Sequence, residues 1–135
     1  MTTEYSNTPL ARKLSLRDGM RVWFLDMPEH VFDEIAEYAL ELTFVANPAD
    51  GIDAAHVFLT ERSALEARLK SLRTQIASDG QVWVSWPKQA SGVATDITED
   101  SIRELCLPLG FVDTKVCAVD EVWSGLKLVI RKELR

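Results

Sequence analysis

Residues 81–101 read QVWVSWPKQASGVATDITEDS, and the fold follows from how this stretch is read. Val82, Trp83, Val84 and Trp86, broken only by Ser85, are apolar on both sides of an extended chain. A strand covered on both faces has this composition, so the run is placed at the centre of a sheet. A polar loop comes next, and then a helix start. Thr98 stands at its first position, Glu99 and Asp100 lie where the helix dipole favours acids, and Ile97 and Ile102 are set as a hydrophobic staple. In an open α/β sheet, ligands sit beyond the carboxyl ends of strands, so the loop 87–98 is the first candidate functional surface.

Towards the amino end, Leu65, Leu69, Leu72 and Ile76 fall at steps of four, three and four, a helical stripe that Asp79-Gly80 is expected to end with a turn. Glu66 precedes Lys70 by one turn on its outer side, the favourable order for that pair. Before this helix the sequence predicts strands over 20–25, 42–45 and 55–60, with a helix over 31–40 between the first two. That helix places Val31, Phe32, Ile35, Ala36 and Ala39 on one face. The link between the second and third strands is too short for a crossover helix and reads as irregular. Thr8 and Pro9 read as the cap and first residue of a short helix carrying Leu10 and Leu14. Towards the carboxyl end, Pro108 and Gly110 stop the helix near Leu107. Strands over 111–119 and 122–131 then meet at Asp120-Glu121 as an antiparallel hairpin, with Val122, Leu126, Leu128 and Ile130 on one side. Strands alternating with helices imply a three-layer, Rossmann-like α/β architecture. Its sheet is mostly parallel and is closed by the C-terminal hairpin, all in a single domain over 1–135.

The 135 residues carry 15 Lys and Arg against 21 Asp and Glu, a net charge of −6. That balance argues against nucleic acid or an anionic membrane as partner. The amino end lacks the basic start and apolar core of a secretory signal, and no apolar run is long enough to span a membrane, so a cytoplasmic protein is expected. Cys106 and Cys117 read as reduced packing residues, and with His30 and His56 they have no metal-ligand spacing. His56, at the head of a buried strand, reads as structural.

Two blocks carry a resemblance. They are Trp86-Pro87-Lys88-x-x-Ser91-Gly92-Val93-Ala94-Thr95-Asp96 and Lys115-Val116-Cys117-Ala118-Val119-Asp120-Glu121-x-Trp123-Ser124-Gly125-Leu126-Lys127. With Tyr5-Ser6-x-Thr8-Pro9-Leu10-Ala11 and Gly19-Met20-Arg21-Val22, they resemble a family of small bacterial proteins known as a domain of unknown function, over nearly the whole chain. More distantly, the order of elements from residue 55 onward is similar to the second half of the S-adenosylmethionine-dependent methyltransferase core. The first half departs from that core. Those enzymes follow the first strand with a glycine-rich loop, whereas Asp26-Met27-Pro28-Glu29-His30 has no glycine, and beyond the second strand the acids are Asp50 and Asp53.

Lys88, Ser91, Gly92, Thr95, Asp96 and Thr98 together hold the ingredients of an anion pocket: a cation, hydroxyls, a permissive backbone and a helix start. The same threonines and Asp96 also suit a cap and a loop brace. Trp123 reads as a residue packed on a neighbour or marking a partner surface. Two functional readings follow. One is a non-catalytic or regulatory module with a degenerate methyltransferase-like core and no cofactor, acting on a protein partner or a small anionic ligand, with a homodimer through the hairpin as a further possibility. The alternative is a divergent methyltransferase holding S-adenosylmethionine near Asp26 and Thr60.

Overall fold

The computed structural model describes residues 8–135, so Tyr5 and Ser6 of the resemblance lie outside the described residues. In chain order the elements are α1 (Leu10–Lys13), β1 (Arg21–Leu25), α2 (Glu29–Glu37), β2 (Thr43–Phe44), β3 (Ile52–Phe58), α3 (Arg62–Gln75), β4 (Ile76–Pro87), α4 (Glu99–Cys106), β5 (Phe111–Ala118) and β6 (Trp123–Ile130). The strands form one six-stranded sheet in the order β2-β1-β3-β4-β6-β5. The first four run parallel, β6 is antiparallel to β4, and β5 is antiparallel to β6. The expected Rossmann-like architecture with its terminal hairpin is the one observed.

Alternation along each central strand divides the core into two layers. On one face Val57, Val82, Val84, Leu126 and Leu128 pack against Leu65, Leu69 and Leu72 of α3 and Ile102 of α4. On the other face Val22, Ala54, Phe58 and Trp83 pack against Leu10 and Leu14 around α1 and Val31 and Ile35 of α2. Cys106 and Cys117 are free thiols, one in each layer. The indole N–H of Trp83 and the side-chain amide of Gln81 both donate to the Leu14 carbonyl, at 2.9 and 2.8 Å. This satisfies the end of α1, which buried polar groups require.

Several local expectations are corrected. Asp79-Gly80 is not a turn: α3 stops at Gln75 and β4 begins at once with Ile76, which is buried and pairs with Ile52. Gly80 is needed for close packing, because a Cβ there would lie 2.7 Å from the Asp53 carbonyl oxygen, beside the irregularity in β3. β3 starts at Ile52, earlier than composition suggested, and ends at Phe58, leaving Thr60 in the turn to α3. Pro9, not Thr8, occupies the cap position of α1. Val122 belongs to the hairpin turn, while Leu126, Leu128 and Ile130 face the core as expected.

Candidate functional site

The strand order reverses about β1: α2 carries the chain outward to β2, and β3 returns to the other side of β1. In open α/β sheets such a reversal opens a crevice at the carboxyl ends of the strands. Here the crevice is about 450 Å³ and is lined by Val22, Trp23, Phe24, Asp26 and Met27 from β1 and its exit, Phe44, Val45 and Ala46 from β2, and Phe32 from α2. Three of its four aromatic residues form a ring cluster. Phe24 meets Phe32 and Phe44 edge-on, with centroids 6.3 and 5.9 Å apart, and Phe32 lies 5.5 Å from Phe44. Asp26 stands at the rim with φ +55, and its carboxylate has no hydrogen-bond or ion-pair partner among the described residues. Left-handed backbone outside glycine is uncommon and collects at functional sites.

The loop after β4 is arranged differently. The Lys88 ammonium donates to the Asp120 carbonyl at 2.6 Å, so it bridges to the hairpin turn. The Ser91 hydroxyl donates to the Lys88 carbonyl, and Gly92 closes the short turn 89–91 with φ +77. The Thr95 hydroxyl donates to the Thr60 carbonyl at 2.6 Å, and the Asp96 amide donates to the same oxygen. The Asp96 carboxylate accepts from the Arg62 amide at 2.6 Å, which makes it a cap for α3, not for the helix that follows it. Thr98 and Ser101 cap α4 reciprocally. Of the six residues expected to form an anion pocket, five thus direct polar groups to protein partners, and Gly92 supplies the turn. Thr60 contributes its carbonyl to the same brace and does not line the crevice beside Asp26.

Asp120 is the hub on this side. Burial pushes its carboxyl up, but amide donors from Trp123 and Val122 and the His30 ring outweigh that and hold it below the usual range. The His30 contact, 2.7 Å between Nε2 and Oδ2, ties the start of α2 to the hairpin turn. Trp123 packs edge-on against Phe58 at 5.1 Å. His56 is buried, stacks on Phe58 and lies 2.7 Å from the Ser85 hydroxyl; burial drives its pKa down to about 3, so the ring is neutral. Burial also raises the thiols, Cys106 to about 11 and Cys117 despite nearby lysines, which argues against a nucleophilic role.

The residue reading missed the aromatic crevice. One signal was available: no Lys or Arg occurs between Arg21 and Arg62, against nine acids, and Phe24, Phe32 and Phe44 fall within that segment.

No protein-family model matches the chain, and no curated protein does. Solved structures do. The magnesium protoporphyrin IX methyltransferase of Synechocystis, solved with bound S-adenosylmethionine, superposes with TM-score 0.57 and 14% identity over 90% of this chain and 76% of that one. The precorrin-6y C5,15-methyltransferase of Geobacter metallireducens gives 0.55 and 11% over 95% and 89%. Fibrillarin of Aeropyrum pernix, with natively bound S-adenosyl-L-methionine, gives 0.53 and 10% over 90% and 69%. At such identities the likeness shows a shared methyltransferase-type fold.

Proposed function

We propose that this chain is a divergent S-adenosylmethionine-dependent methyltransferase that holds the cofactor's nucleoside in the crevice beside Asp26. The observation carrying the reading is Asp26 itself: a left-handed residue with an uncommitted carboxylate at the rim of the crevice, where a ligand of this fold class is expected. The volume lies within the range of small-molecule sites. Phe24, Phe32 and Phe44 offer ring surface to a purine, and Asp26 offers an acceptor to ribose hydroxyls. The acids between Arg21 and Arg62 favour a cationic sulfonium. The fit is to the nucleoside end; the glycine-free turn 26–30 brings backbone less close to the amino-acid end. The cofactor, when bound, supplies an electrophilic methyl group. The chain's residues bind and orient it and limit water around it.

The glycine-free turn, together with the tie between His30 and Asp120, favours a second reading. In it the chain is a single-domain cytoplasmic module of the small bacterial family that carries the two signature blocks. It keeps the fold, has no catalytic role, and binds a protein partner or small anion near 87–98.

Calorimetry with S-adenosylmethionine separates the two. Micromolar binding that weakens roughly tenfold in Asp26→Ala supports the first reading. Absence of heat at millimolar cofactor would end it and leave the module. A thermal-shift series with nucleotides, sugar phosphates and carboxylates tests the anion branch, which needs a shift that Lys88→Ala abolishes.

A further inference from the structure

Next to the crevice, at the outer edge of the sheet, Phe32, Ile35 and Ala36 of α2 and Leu40, Leu42 and Phe44 line an apolar groove of about 260 Å³. Phe32 is 39% exposed, Tyr38 39% and Phe44 56%, and no described segment of the chain covers them. Apolar surface gathered in this way marks binding sites more often than chance exposure does. The backbone beside it is unpaired. β2 is the last strand, and its Thr43 and Val45 amides donate to Met20 and Val22 on β1, so strand alternation turns the N–H and C=O of Phe44 outward. The neighbouring charge is acidic: Asp33, Glu37 and Glu41, each next in sequence to a residue lining the groove, are exposed, and no Lys or Arg occurs from 22 to 61.

We propose that this groove docks a cationic amphipathic segment of a partner protein, with apolar side chains seated against Ala36, Leu40 and Leu42 beside the paired rings of Phe32 and Phe44, and Lys or Arg meeting the acidic rim. Charge decides the occupant. A two-fold pairing of this chain through the groove would set the same acidic rims face to face, which costs affinity through like-charge repulsion. An anionic lipid surface is repelled for the same reason. A basic segment gains on both counts, by apolar burial and by steering. The proposal does not rest on the cofactor reading.

The probe is a labelled synthetic peptide of Lys and Leu in helical spacing, titrated with the full chain and followed by fluorescence anisotropy. Ala36→Lys, which fills the groove, and Glu37→Lys, which reverses the rim, should each weaken binding roughly tenfold. Both positions are exposed, and a lysine at the last residue of α2 suits the helix dipole, so folding should be kept, as a thermal melt verifies. Glu104→Lys, on α4 in the opposite layer, should change affinity less than about twofold. Lack of binding, equal binding of a Glu and Leu peptide, or equal loss in Glu104→Lys would overturn the proposal, the last by reducing it to bulk charge. Sedimentation revealing a dimer that Ala36→Lys dissolves would assign the groove to a second copy and overturn it as well. Phe32 and Phe44 line both the groove and the crevice, whereas Ala36 lines only the groove. Unchanged cofactor binding in Ala36→Lys thus keeps the two sites apart, and loss of both ligands in that variant would overturn the groove as a separate site.

Discussion

Segments 88–98 and 26–46 leave the same carboxyl edge of one sheet, yet their side chains are used in opposite ways. After β4, Lys88, Thr95, Asp96 and Thr98 reach the hairpin turn, the β3 to α3 turn, the start of α3 and the start of α4, while Ser91 closes back on the Lys88 carbonyl. After β1 and β2, the exposed rings of Phe32 and Phe44 share a crevice with the Asp26 carboxylate, which has no hydrogen-bond or ion-pair partner among the described residues. A hydrogen bond already made inside the protein must be broken before a ligand can use the same group, which leaves little net gain. The segment richer in polar side chains thus has fewer uncommitted groups to offer a ligand than the aromatic one.

Both segments rest on one stiff sheet, and the substitution with the largest expected effect loosens it. Trp83→Ala empties a buried site and removes one of the two donors to the Leu14 carbonyl, so denaturant unfolding should show a loss of about 3–5 kcal/mol. A loss below about 1 kcal/mol would mean that the layers are not locked together at Trp83.

Next in size is a pH effect at His56, which lies between the two regions, edge-on to Phe24 and bonded to Ser85 on β4. Its folded pKa of about 3 lies below the unfolded value of 6.5, so the unfolded chain binds the proton first as pH falls. The contribution is flat above about pH 6.5 and turns increasingly destabilising down towards pH 3. Between pH 6.5 and 5 the wild type should lose about 2 kcal/mol relative to His56→Gln in parallel urea titrations. Parallel curves would mean that the ring is not buried.

Smaller again, Thr98→Ala removes a reciprocal cap and should cost about 1 kcal/mol, read as a lower urea midpoint with unchanged slope. Smallest, and of opposite sign, Asp26→Gly relieves left-handed strain and should leave stability unchanged or raise it by up to about 1 kcal/mol, while weakening cofactor binding. A clear loss of stability in Asp26→Gly would make Asp26 a brace like Asp96 and erase the contrast between the two segments.

The reach of the sequence can be judged residue by residue. Leu65, Leu69 and Leu72 announced α3 because helical packing repeats every three or four residues, and Thr98 announced α4 because a cap acts within three. Ile76 fitted the same helical stripe but belongs to β4, because its pairing with Ile52, 24 positions earlier, prevails over local periodicity. Gly80 looked like a turn glycine; its reason is the Asp53 backbone. Lys88, Thr95 and Asp96 looked like parts of an anion pocket because their partners lie 32 to 35 residues away and leave no local mark.

By itself, then, the chain's pattern determined the layers: which strands are covered on both faces, where the helices lie, and that an antiparallel hairpin ends the sheet. Those features follow from short-range periodicity and burial, which are written along the sequence. Only the tertiary structure decided which edge loop is brace and which is crevice, because that depends on where each polar group finds its partner, and such partners meet only after the sheet has brought distant segments together.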